Sequence, residues 1–192
     1  MGARALEEAN PLTIRAFFGF PLPEAQRKEL GGFLARCEVA APEFRWSVVE
    51  NLHLTVRFVG TIERSIVEGI SDRLTGRAGP ELELSLGEVG TFKRSRLARV
   101  VWLGLQSGAE EMKALAARVE AECRAAGLAP EPRPFQPHLT LARARSRDGA
   151  TPPELPAIPA LEPWRASELI LYWSHLKKNG AEHEPIRRIV LS

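Results

Sequence analysis

The stretch NLHLTVRFVG, residues 51–60, contains the tripeptide His-Leu-Thr, and the same tripeptide returns in PHLTLARAR, residues 137–145. The chain has four histidines, so half of them sit in identical local settings. By average residue usage a given histidine is followed by Leu-Thr roughly once in 200 cases, so two of four by chance is on the order of one in several thousand. Both stretches alternate apolar and polar residues, the period of a half-buried strand. In the first, Leu52, Leu54, Val56 and Phe58 share one face, and His53, Thr55 and Arg57 the other. In the second, Leu139 and Leu141 turn inward while His138 and Thr140 turn outward. The His-x-Thr spacing therefore sets an imidazole and a hydroxyl side by side on the open face of a rigid strand.

Around these strands the chain reads as β, α, β, β, α, β, β, α, β, β, β. Strands are expected at 12–20, 45–49, 52–59, 81–92, 98–106, from 138 onward, and at 167–176 and 182–192. Helices are expected at 24–38, where Leu30, Phe33, Leu34 and Cys37 recur at helical spacing, at 63–77 and at 109–126. The second helix carries Ile66, Ile70 and Leu74, with Thr61 as its cap, and Gly127 closes the third. Residues 144–163 read as a long loop, and KKNGA as the turn of a closing hairpin. The strand-helix-strand-strand unit recurs with one His-Leu-Thr in each copy, just under half the chain apart. Short connections favour antiparallel pairing. The fold class is α+β: one two-lobed domain over 1–192, with duplicated antiparallel sheets, flanking helices and a central cleft.

The bulk properties narrow the partners. The 192 residues are 44% hydrophobic and 26% charged with a net charge of +2, as in an ordinary globular protein. Cys37 and Cys123 have no CxxC spacing, which argues against a disulfide framework or a cysteine zinc site. MGARALEEAN and Pro11 read as a flexible start, and IRAFFGFPLP is too short, too charged at Arg15 and too rich in proline to span a membrane. A cytoplasmic monomer with no membrane partner is expected.

Two imidazoles facing each other across a cleft suit displacement at phosphorus. With unperturbed pKa values near ~6.5, one can take a proton from the attacking oxygen while the other gives one to the leaving oxygen. Thr55 and Thr140 can donate hydrogen bonds to phosphoryl oxygens, and no metal or cofactor is required. Spacing alone leaves open which histidine is acid and which is base.

The motifs NLHLTVRFVG and PHLTLAR resemble the paired HxTx motifs of the 2H phosphoesterases. The likeness is greatest to the RNA 2′,3′-cyclic phosphodiesterases, also called 2′-5′ RNA ligases. IRAFFGFPLP, GTFKRSRLARVVWLGL and RPFQPHLTLAR follow that branch in order, with Lys93 where proline is frequent. The resemblance implies hydrolysis of a terminal 2′,3′-cyclic phosphate to a 2′-phosphomonoester. His53 would be the proton donor to the leaving 3′ oxygen, and His138 the proton acceptor that activates water. It also implies 2′-5′ joining in vitro, and a partner that is RNA with a cyclic phosphate end or a small cyclic nucleotide.

Other residues carry competing readings. Arg143 completes an H-x-T-x-x-R pattern that the resemblance places near phosphate, yet strict alternation sets it with Leu139 and Leu141; only a bulge or the strand end would redirect it. Arg57 lies on the histidine face as a phosphate ligand, or pairs with a carboxylate. Lys93, Arg94, Arg96 and Arg99, with Arg143, Arg145 and Arg147, form either a phosphate track or solvated charge. Phe92 and Trp46 are candidates for base stacking or for the core. His175 and His183 are assigned no role. A non-catalytic nucleotide-binding module would keep the same cleft. A metallohydrolase would need a third ligand such as His183.

Overall fold

A computed structural model describes residues 12–177 and 180–192. The expected flexible start and the tip of the closing hairpin, Lys178 and Asn179, lie outside the described residues. In chain order the elements are β1 (Thr13–Pro21), α1 (Glu24–Ala40), β2 (Phe44–Trp46), β3 (His53–Glu63), α2 (Arg64–Leu74), β4 (Leu82–Arg94), β5 (Leu97–Ser107), α3 (Ala109–Ala125), β6 (Leu139–Ala144), β7 (Trp164–Ala166), β8 (Glu168–Lys177) and β9 (Gly180–Val190). A single 3₁₀ turn, Val49–Asn51, precedes β3. The pattern read from the sequence holds, with β7 added. That strand has three residues, too few for a period to register, and it pairs with Leu82–Leu84 of β4.

All recorded strand pairs are antiparallel, and the order is β7-β4-β5-β6-β3-β1-β8-β9 with β2 alongside β6. This order is a palindrome in role. β3 and β6 meet in the middle, β1 and β5 flank them, and β8 and β4 come next. The expected pseudo-twofold thus lies between the two His-Leu-Thr strands.

The helices cover the face that buries Leu54, Val56, Leu139 and Leu141. α1 buries the predicted Leu30, Phe33, Leu34 and Cys37. α3 buries Met112, Leu115, Ala116, Val119 and Cys123 and stops before Gly127, whose φ of 85° suits the left-handed turn after a helix. α2 is rotated from the expected stripe: Val67, Ile70 and Leu74 are buried, while Ile66 is exposed. Thr61 is no helix cap, because β3 continues to Glu63 and α2 starts only at Arg64.

Two irregularities re-aim side chains. β3 slips register twice against β1, near Ala16/Phe17 and Phe18/Gly19. After the slips Phe58 stands 41% exposed instead of in the core, with the Arg15 guanidinium 4.6 Å from its ring. β6 has a bulge against β5, where Trp102 pairs with Thr140 but Val101 pairs with Ala142. Leu141 and Ala142 are both buried, so the alternation resets and Arg143 turns outward.

Candidate active site

β3 and β6 pair at Leu54↔Leu139. The antiparallel register on either side of this pair sets His53 across from Thr140, and Thr55 across from His138. The two motifs are thus opposite halves of one surface.

The histidines are anchored alike. His53 Nδ1 lies 2.6 Å from the Asn51 carbonyl oxygen, and His138 Nδ1 lies 2.8 Å from that of Gln136. Each acceptor is the carbonyl two residues upstream, and only a protonated Nδ1 can donate to it. The contact selects the same tautomer in both rings and leaves both Nε2 atoms for a reacting group. The hydroxyls of Thr55 and Thr140 have no protein hydrogen-bond partner among the described residues, so both are available to a ligand.

Each imidazole backs onto an aromatic wall. Beside His53, the Phe17 ring lies 4.6 Å away and the Tyr172 ring 6.4 Å away, with Phe17 and Tyr172 stacked on each other. Beside His138, Phe92 meets the imidazole edge-on at 4.9 Å and Trp102 lies at 6.2 Å. The strands that supply the walls, β1 and β8 on one side and β5 and β4 on the other, are related by the palindrome. Phe92 is therefore at the cleft. Trp46 is in the core, where its indole N–H donates to the Ala41 carbonyl at 3.0 Å.

Burial in these walls pushes His53 down to about 4 despite its hydrogen bond to Asn51; repulsion from His183, Arg143 and His138 adds to the fall. Burial also lowers His138, again with Arg143 repulsion. The free cleft thus holds both imidazoles neutral at pH 7, not one neutral and one charged. The bulge in β6 turns Arg143 to the exposed face that carries Thr140, and from there its charge disfavours protonation of both rings.

Arg57 stands elsewhere. Its guanidinium is paired with Glu120 at 2.6 Å and Glu131 at 3.2 Å, and donates to the carbonyls of Phe58 and Ala129. The expectation that Arg57 binds phosphate is corrected: four protein partners occupy its donors. Lys93, Arg94, Arg96 and Arg99 are exposed at or near the β4–β5 hairpin tip, and Arg145 is tied to the Pro42 carbonyl at 2.9 Å.

A third histidine joins the site. The His183 ring stands perpendicular to that of His53 at 5.0 Å and edge-on to Phe17 at 4.9 Å. Its Nδ1 is buried with no hydrogen-bond partner among the described residues. The Asn51 amide donates to the Ala181 carbonyl at 2.6 Å, fastening β9 to the segment that anchors His53. No motif marks His183; the Ser174↔His183 register of the closing hairpin is the signal that places it. His175 instead pairs with Glu184 at 2.9 Å. Among the described residues, no three His, Cys, Asp or Glu side chains form a group able to hold a metal ion. The three-ligand reading through His53, His138 and His183 therefore has no ligand set here.

The model of the 2′-5′ RNA ligase superfamily matches residues 28–178. The chain belongs to that superfamily. An RNA 2′,3′-cyclic phosphodiesterase of Escherichia coli is 30% identical over 181 residues, 93% of this chain and 97% of the relative. One from Aeropyrum pernix is 35% identical over 96 residues, which span 50% of this chain and 54% of the relative's length. The crystal structure of E. coli LigT complexed with 3′-AMP superposes with a TM-score of 0.81 at 27% identity, over 94% of this chain and 99% of that one. The superfamily match runs through both His-Leu-Thr strands, and its far end reaches β8.

Proposed function

We propose that this protein hydrolyses a terminal 2′,3′-cyclic phosphate of RNA to a 2′-phosphomonoester, with His53 and His138 as the acid-base pair. The observation that carries the reading is the matched anchoring of the two imidazoles on neighbouring, antiparallel strands, with both Nε2 atoms left free. Similarity to curated RNA 2′,3′-cyclic phosphodiesterases supports the substrate.

In the proposed reaction His138 Nε2 takes a proton from water as the water oxygen attacks phosphorus. The P–O3′ bond breaks, and His53 Nε2 gives its proton to the leaving 3′ oxygen. The P–O2′ bond stays, so the product carries a 2′-phosphate. Thr55, Thr140 and Arg143 stabilise charge on the phosphoryl oxygens. The free cleft disfavours imidazolium, so the anionic phosphodiester itself supplies the countercharge that lets His53 hold its proton. The same displacement with the 5′ hydroxyl of a second RNA in place of water forms a P–O5′ bond, breaks P–O3′ and leaves a 2′-5′ linkage. No helix among the described residues is long and apolar enough to cross a membrane; we place the activity in the cytoplasm, in a monomer.

The test is product analysis on an oligonucleotide with a 2′,3′-cyclic end. A 2′-phosphate product is expected from the wild type. His53→Ala and His138→Ala should each lose about 10² to 10⁴ in rate while keeping the native circular-dichroism spectrum. Full activity in either folded variant, or a 3′-phosphate product, would reject the assignment.

A further inference from the structure

Four strands build one row across the cleft face beyond the histidines. Phe92 of β4 pairs with Val100 of β5, Val100 with Arg143 of β6, and Arg143 with Arg45 of β2. Directly paired residues of antiparallel strands point to the same side. Burial agrees: Phe44 and Trp46, on either side of Arg45, are buried, and Arg45 is exposed. The two guanidiniums are therefore neighbours on the cleft side.

This arrangement is unfavourable on its own. Like charges directly opposite each other in a sheet destabilise it; burial disfavours the charge on Arg143, and repulsion from Arg45 adds to it. Neither arginine has a carboxylate partner or a hydrogen bond to the protein among the described residues. Six other arginines among those residues pair with glutamates; what marks Arg45 and Arg143 is not the lack of a carboxylate alone but that they stand directly opposite each other. An anion between the two forks would turn the repulsion into two charge-assisted contacts.

The position of the pair identifies the anion. Arg143 stands one step along the exposed face from Thr140, roughly 7 Å of strand. That is the scale of the step between successive phosphates of a single strand. The row also ends at Phe92, whose ring lies against His138 at the side of the cleft.

We propose that Arg45 and Arg143 form a second phosphate subsite. It takes the internucleotide phosphate on the 5′ side of the terminal nucleotide, so that the protein prefers RNA ends to cyclic mononucleotides. Arg143 stands between the reacting phosphate and this second one, and Arg45 contacts the second alone. The inference rests on the hydrolytic reading of the cleft for its substrate, but the subsite itself is a binding claim.

The experiment compares wild type, Arg45→Gln and Arg45→Lys on a 2′,3′-cyclic mononucleotide and on a trinucleotide with the same end. Arg45→Gln should lower kcat/KM on the trinucleotide by about tenfold or more, mainly through KM, and leave the mononucleotide value near wild type. Arg45→Lys should recover part of the loss. The same proteins are titrated with a trinucleotide ending in a 2′-phosphate over a range of salt. Arg45→Gln should flatten the plot of log affinity against log salt by about 0.7. Its Tm should match or exceed that of the wild type, because the substitution removes a repulsion. Equal losses on both substrates, or an unchanged salt slope, would overturn the subsite. A wild type inert on both substrates but with the expected salt slopes would reject the hydrolytic reading and leave the subsite standing.

Discussion

Arg57 shows how a single guanidinium can belong to the scaffold rather than the site. Its fork reaches Glu120 of α3, then Glu131 and the Ala129 carbonyl in the segment after α3. It thereby ties the strand that carries His53 to the lead-in of the second motif. The side chain is 10% exposed, so these bonds are sheltered from competing water. Arg57→Met removes the fork but keeps much of the apolar stem. It should cost about 1–3 kcal/mol, because Glu120 loses its charged partner. kcat/KM per folded molecule should stay near wild type. Urea unfolding reads the first quantity and steady-state kinetics on a cyclic-phosphate end the second. A stable but inactive variant would return Arg57 to the phosphate.

At the scale of elements, the walls behind the histidines depend on what the strands omit. Gly90 pairs with Trp102 across β4 and β5, and a Cβ built on Gly90 would fall inside the surface of the indole. The bare backbone at Gly90 is what lets the ring lie flat and reach towards His138. Gly90→Ala must push the indole away or part the strands, at a cost of about 1–3 kcal/mol. Because the wall positions an acid-base group, kcat/KM should fall by about 10- to 100-fold, and tryptophan fluorescence should shift. Unchanged kinetics would mean that Trp102 does not hold His138. This scale also marks how far the sequence could be read. Alternation placed His53, Thr55, His138 and Thr140 on one open face, because no slip interrupts those residues. It put Arg143 inside and Phe58 in the core, because a bulge adds a residue without changing the apolar-polar pattern that reveals strands. Trp102 reaches the cleft through its pairing with β6, and His183 because the β8 strand it pairs with is itself laid against the distant β1; no local period records those long-range pairings.

Across the whole molecule, the duplication that brings two imidazoles together also makes the fold sensitive to acid. The symmetry was legible early, since each half repeats strand, helix and motif; the electrostatic consequence was not, since it depends on burial. His53, His138 and His183 all have lowered proton affinity in the folded chain, burial being the leading cause each time. The unfolded chain binds a proton at each below pH ~6.5, whereas folded His53 waits until about 4. Between those values the unfolded state holds more protons, so stability is full above pH ~6.5 and falls as pH drops through the window. For His53 the loss is at most about 3 kcal/mol, and the other two act in the same direction. Urea unfolding at steps from pH 7 to pH 5 should show this decline before most carboxylates titrate. In His53→Gln the decline should be shallower, because one of the three groups is gone. A curve flat over that range in the wild type, or an equally steep one in the variant, would show that the imidazoles are better solvated than their aromatic walls imply.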